Sequence, residues 1–225
     1  MTTLLINQQN FESHVTPKGH AERADRIRAI EDALSRPRFD RLLRRDALSV
    51  DLALAELVHG PRYMQRLRDA RPAEGIGQID SDTFISSGSL DTAATALGGA
   101  LAALEAVVLG EADNAFCAIR PPGHHAERDT PMGFCLVNTI AIVAREAQRK
   151  HGAERIAIVD FDVHHGNGTQ DIFEADPSVF YASSHQFPLY PGTGRPSETG
   201  VGNIVNAPLP PGSDGSAMRE VYRDT

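Results

Sequence analysis

The stretch IAIVDFDVHHGNG, residues 156–168, decides the fold. Its opening apolar run is continuous and bounded by polar residues, the pattern of a strand buried on both faces of a parallel sheet. Asp160 and Asp162 lie two residues apart, so on a strand both side chains point the same way. His164 follows at the same spacing, where the strand should end. Polar groups at the carboxyl end of such a strand stand where open α/β sheets form ligand sites. A carboxylate and an imidazole there suit a borderline ion such as zinc. Taken alone, D-x-D-x-H reads equally well as a turn-capping aspartate followed by ordinary loop histidines. The preceding strand and the Gly166/Gly168 turn favour a metal site.

Working outward, AFCAI at residues 115–119 is a second strand of the same kind, and residues 138–150 form a crossover helix between the two. The loop leaving AFCAI is stiffened by Pro121, Pro122 and Gly123 and carries His124 and His125 at its tip. Adjacent histidines alone are two polar loop residues. In a βαβ unit, however, parallel neighbours bring this loop and residues 160–164 to one edge. A metal-activated water beside a histidine able to take its proton is the apparatus of hydrolysis.

Further strands are expected at 178–183 and 203–207, and a helix at 22–34 from the spacing of Ile27, Ile30 and Leu34. Residues 52–70 read as two short helices broken at Gly60-Pro61. The Ala-rich run 95–110 contains Glu105 and is shorter than the ~20 residues of a membrane span, so it reads as a buried helix. Residues 214–225 open like a capped helix. With no repeat or linker, residues 1–225 are expected to be one layered α/β domain, with a mostly parallel central sheet and helices on both faces.

The chain has 225 residues, 41% hydrophobic and 23% charged, with a formal net charge of −8. This composition excludes disorder and leaves no basic footprint for nucleic acid. An acidic surface suits a cationic substrate such as a basic peptide or a polyamine. Cys117 and Cys135 make no disulfide framework. The N-terminus shows no secretory pattern, so a reducing, cytoplasmic setting without a membrane is the expectation.

Four blocks, RPPGHH at 120–125, GFCLVN at 133–138, DFDVHHGNGTQ at 160–170 and SSHQFPLYPGTG at 183–194, occur in that order after HAERADRIRAI at 20–30. Together they resemble the histone deacetylase and acetylpolyamine amidohydrolase superfamily along essentially the whole chain. The Asn of HHGNG and the VN after GFC are closer to its class II and bacterial members. The resemblance implies the three-layer arginase/deacetylase-like fold and removal of an acetyl group from acetyl-lysine or a similar acetylated amine. Asp162 and His164 would be two of three zinc ligands, and His124 and His125 the tandem acid–base pair, with His125 the base. Asp160 would orient His124, and Asn167 would orient His125 without raising its proton affinity as a carboxylate would. Gly133 and Phe134 would line a tunnel for the substrate's aliphatic stem, with Tyr190 on its opposite wall and Asp82 as the rim carboxylate. A structural potassium ion would sit at Asp160, Ser183 Oγ, the Ser184 carbonyl and the backbone oxygens of Asp162 and His164. Water would attack a zinc-polarised acetyl carbonyl as a histidine takes its proton, and a protonated histidine would then release the amine.

The family's third zinc ligand, an Asp, and its oxyanion-stabilising Tyr or His lie well beyond the PGTG block. This sequence runs only about 30 residues past Gly194 and offers no substitute for either. The expectation is a domain incomplete at its C-terminus, whose native chain continues past Thr225. The 225-residue piece itself would bind metal weakly, hydrolyse poorly and leave a sheet edge unpaired. Acetylpolyamine hydrolysis stays open, as does an inert acetyl-ligand binding module. An arginase-type ureohydrolase would show D-x-H-x-D, which residues 160–164 do not. Oligomeric state stays open too.

Overall fold

The computed structural model describes residues 1–224. Strands β1 (Thr3–Asn7), β2 (Leu43–Asp46) and β5 (Asn114–Ala118) form one parallel sheet in the order β2-β1-β5. Strands β6 (Ile156–Asp160), β7 (Val179–Gln186) and β8 (Ile204–Leu209) form a second parallel sheet in chain order. A small antiparallel hairpin joins β3 (Ile76–Gln78) to β4 (Phe84–Ser86). The helices are α1 (Asp25–Leu34), α2 (Pro61–Ala70), α3 (Ser89–Val108), α4 (Thr139–His151), α5 (Asn167–Phe173) and α6 (Gly215–Asp224).

The larger hydrophobic core gathers Tyr63, Met64, Leu97, Ile142, Phe173 and Tyr181, from α2, α3, α4, α5 and β7. A second core packs Leu4 and Ile6 of β1 against Ala103 and Ala106 of α3. Helix α4, the crossover between β5 and β6, is well marked. The Asn138 side chain accepts from the Ala141 N–H, and Arg149, Lys150 and His151 face the negative end of the helix dipole.

Several expectations are corrected. Strands β5 and β6 are not covered on both faces: Phe116 is 49% exposed and Val159 50%. The reason is topological, since each is the edge of its sheet. Both edges border one cleft of about 990 Å³, lined also by Ala103 and Val107 of α3 and by Ile140 and Val143 of α4.

Strand β6 stops at Asp160, so strand alternation does not place Asp162 and His164. Two successive side-chain-to-backbone bonds curl the chain instead, Asp162 N to Asp160 Oδ1 at 3.1 Å and His164 N to Asp162 Oδ1 at 2.8 Å. The first helix begins at Asp25 rather than Glu22, because Glu22 is drawn inward to pair with the buried Arg120 guanidinium at 2.7 and 2.8 Å. Helix α3 starts at Ser89, not Thr95. Its polar first turns are tolerated because Thr92 Oγ1 bonds the Gly88 carbonyl at 2.8 Å and Thr95 Oγ1 the Asp91 carbonyl at 3.0 Å. At 20 residues it is long and apolar enough to cross a membrane by length and composition alone. Here it packs in the interior against β1, β5 and α4.

Candidate active site

Strands β5 and β6 are not the hydrogen-bonded neighbours that a βαβ unit would make them but the edges of two separate sheets; the loop after β5 and the turn after β6 nonetheless meet across the end of the cleft between them. His124 Nδ1 donates to Asp160 Oδ2 at 2.8 Å, which turns its Nε2 toward Asp162, 4.0 Å from Oδ1. Both oxygens of Asp160 are hydrogen-bonded. Tyr181 OH donates to the same Oδ2 at 3.1 Å, and the Asp162 N–H donates to Oδ1. The neighbouring ring of His125 lies 4.0 Å from that of His124, centroid to centroid, and its Nδ1 donates to Asn167 Oδ1 at 2.8 Å. His164 stands across from it, with ring centroids 5.8 Å apart, and Tyr190 closes the group at 5.2 Å from His125 and 6.0 Å from His164.

Two glycines make these approaches possible. A Cβ on Gly133 would lie 2.4 Å from His125 Cδ2, and one on Gly166 would lie 2.2 Å from Asp160 Oδ2. Either contact is far inside van der Waals distance, so the imidazole and the carboxylate each occupy space that a side chain would need.

The two histidines differ in proton affinity. Burial pushes His125 down, and the neighbouring His124 adds to this against the bond to Asn167, leaving it at about 4. Burial acts on His124 in the same direction, but the hydrogen bond and charge of Asp160 outweigh it and the net shift is upward. Asp160 in turn is held low: burial opposes its charge, and the His124 bond wins. One ring favours the neutral form and its neighbour the charged form, which suits a pair that passes protons.

Asp162 and His164 are the more open members of the group, with His164 Nδ1 3.3 Å from Asp162 Oδ1. A carboxylate oxygen beside an imidazole nitrogen fits zinc by donor type. In number the pair falls short: among the described residues no group of three or more His, Cys, Asp or Glu side chains is arranged to hold a metal ion.

The remaining expected residues fall in two places. Asp160 faces Ser183 across the β6–β7 register. His185 Nε2 donates to the Gly194 carbonyl at 3.0 Å, and burial holds this ring toward its neutral form. Its Nδ1 therefore accepts from Ser183 Oγ at 2.9 Å. Ser184 Oγ meets Tyr222 OH at 3.0 Å. At the other side, Phe134 takes a positive φ of 70°, and its N–H donates to Thr83 Oγ1 at 3.1 Å. Its half-buried ring meets the edge of His20 at 4.6 Å. His20 Nε2 donates to the Asp82 carbonyl at 3.0 Å, so Asp82 and Phe134 share one wall. Burial, then the charges of Asp82 and Asp80, push the Tyr190 phenol up.

Sequence reasoning missed Tyr181, Glu127, Thr83 and His20. Tyr181 was within reach, because it precedes Ser183 by two residues and shares its face of β7. Thr83 and His20 act through a loop contact between distant segments, which no local pattern encodes.

The histone deacetylase domain family matches residues 20–225. A probable deacetylase of Archaeoglobus fulgidus is 41% identical over 220 residues, covering 95% of this chain and 60% of that protein. A histone deacetylase-like amidohydrolase of Pseudomonas aeruginosa is 40% identical over 171 residues, 74% of this chain and 45% of its own length. The crystal structure of the HDA15 HD domain superposes with a TM-score of 0.85 at 35% identity, covering 92% of this chain and 62% of that one. The parallel α/β architecture is thus shared with a solved deacetylase domain, and the chain spans about three fifths of the archaeal protein. This chain belongs to the histone deacetylase domain family.

Proposed function

We propose that this chain carries most of the active site of a zinc-dependent amidohydrolase that removes acetyl groups from acetyl-lysine or a similar acetylated amine. One observation carries the reading: two adjacent histidines, one bonded to a carboxylate and the other to a neutral amide, border the Asp162–His164 donor pair. Asp162 and His164 would hold the zinc. When bound, zinc supplies Lewis-acid polarisation of the acetyl carbonyl and makes a water more acidic. His125, neutral and with Nδ1–H held by Asn167, presents Nε2 as the base that removes the water's proton. His124, biased toward its charged form by Asp160, would support the negative charge that develops on the attacked carbonyl's oxygen and give its own proton to the departing amine, and the proton taken up by His125 would restore the pair's proton count. Phe134, Gly133 and Tyr190 would guide the aliphatic stem, and Asp82 would meet the substrate at the mouth. Asp160 and Ser183, which face each other across β6 and β7, would share a potassium ion.

The same reading makes residues 1–225 part of a longer deacetylase domain. Support comes from the unpaired edges of β5 and β6 across an apolar cleft and from a donor pair one short of three. The third ligand and the oxyanion-stabilising group would come from that remainder.

The test is turnover by the native protein on acetyl-lysine peptides and on acetylpolyamines, before and after treatment with a chelator. Loss of deacetylation on chelation and its return with zinc is the expected result. A protein that binds acetylated amines but turns none over with zinc restored would instead be a binding module.

A further inference from the structure

An asparagine amide can present either its oxygen or its nitrogen to a neighbouring imidazole, and the choice decides which ring nitrogen is a base. With the Asn167 oxygen against His125 Nδ1, the ring proton sits on Nδ1 and the lone pair of Nε2 is free. With the amide nitrogen there, Nδ1 must accept and Nε2 carries the proton. Nothing on the His125 side of Asn167 selects between these arrangements.

The selection comes from the far side of the amide. Asn167 Nδ2 lies 2.7 Å from Glu127 Oε1. An ionised carboxylate has no proton to give, so it accepts only, and a flipped amide would turn oxygen against oxygen. The other acceptor near Nδ2 is the Met132 thioether sulfur at 3.3 Å, a weak one. We propose that Glu127 is a positioning residue: by accepting from Asn167 it holds the amide oxygen on His125 Nδ1 and fixes the tautomer that leaves Nε2 free.

Glu127 is itself well placed to do this. Its N–H donates to the Thr130 carbonyl at 3.0 Å. Its carbonyl accepts from Nδ1 of the buried His59 at 2.9 Å, and His59 Nε2 accepts from the Asn138 N–H at 2.9 Å. The segment that carries the carboxylate is therefore tied to the start of α4, and the tautomer of His125 is set by a chain of contacts from Glu127 through Asn167. The tautomer follows from these contacts alone, whereas its value to catalysis rests on the hydrolytic reading above.

The experiment is ¹⁵N NMR of the imidazole nitrogens in histidine-labelled protein, for wild type, Glu127→Gln, Glu127→Met, Asn167→Ala and the Met/Ala double variant. Wild type is expected to show His125 as a single Nδ1–H tautomer, and Glu127→Gln, whose amide can turn either its oxygen or its nitrogen to Asn167, is expected to lose that selection. Glu127→Met is expected to shift its nitrogens toward a tautomer mixture, and in the Asn167→Ala background to add nothing further. In turnover assays Glu127→Met should lower kcat by roughly 10- to 100-fold with KM little changed, as loss of an orienting partner does. Should that variant fail to fold, Glu127→Ala removes the same acceptor and is read in the same way. Unchanged His125 nitrogens on loss of the carboxylate, or additive effects with Asn167→Ala, would overturn the inference. A wild-type protein without turnover would sink the hydrolytic reading while leaving the NMR result to decide this one.

Discussion

His124 and His125 are covalent neighbours with opposite proton affinities, and the difference traces to one substitution of charge: Asp160 behind one ring, Asn167 behind the other. Replacing Asn167 with Asp in a Glu127→Gln background, which removes the carboxylate 2.7 Å away, would put a negative charge beside Nδ1 of His125 and stabilise its protonated form. A base must be unprotonated to act, so the acid limb of the kcat/KM profile should move to higher pH, by about 1–3 units. An unmoved limb would mean that His125 is not the group being titrated. A second residue-scale expectation concerns Glu22, buried against Arg120 and His14. Burial alone would raise its carboxyl, but the bonds to Arg120 and His14 outweigh this and hold it at about 2, against an ordinary value of 4.5. A carboxyl with a depressed folded-state pKa stabilises the fold above its unfolded value and loses that contribution as pH falls toward the folded one. Its contribution, about 3 kcal/mol at 1.36 kcal/mol per pH unit, should be complete above pH 4.5 and disappear toward pH 2. Urea titrations across this window should show the loss in wild type and not in Glu22→Gln. At this scale the sequence was most legible where chemistry needs a particular residue type, as at His124, Asp160 and Asn167. Glu127 was invisible because its role depends on which end of an amide faces it.

Among the elements, β6 and its following turn carry the site, and the junction of α5, β7 and β8 holds them in place. Asn203, just before β8, is buried, and its Nδ2 lies within 2.8–2.9 Å of the carbonyls of Phe173, Asp176 and Val179. Replacing it with Ala strands these acceptors and should cost about 3 kcal/mol. The urea midpoint should fall with the m value unchanged, since the surface exposed on unfolding is the same. A change below 1 kcal/mol would mean that water replaces the amide. Periodicity made α4, β5, β6, β7 and β8 readable to within a few residues at most boundaries. The central strand β1 escaped because Leu4, Leu5 and Ile6 form too short a run to stand out. The edge strand β2 has no apolar pattern at all, since Leu43, Arg44, Arg45 and Asp46 are all exposed. Helix α5 hides in NGTQDIF, where Asn and Gly argue against a helix. Its backbone is held by tertiary contacts instead: the Thr169 N–H bonds the His124 carbonyl at 3.1 Å.

For the whole molecule, two three-stranded parallel sheets stand on either side of a cleft that reaches His124, Asp160 and Asp162. The fold class could be read from the sequence because apolar strand runs alternate with helices, the pattern of a parallel α/β architecture. The division into two sheets could not, because continuous apolar strands look alike whether they are central or bordering a cleft. The central claim is that the histidine pair and the Asp162–His164 pair work on one zinc ion, with separate duties. The most direct test measures zinc content and deacetylation together in the native protein for His164→Ala and His125→Ala. His164→Ala should lose both zinc and turnover. His125→Ala should keep its zinc while turnover falls ~10²- to 10⁴-fold. Full zinc and full turnover in His164→Ala, or undiminished turnover in His125→Ala, would contradict the account.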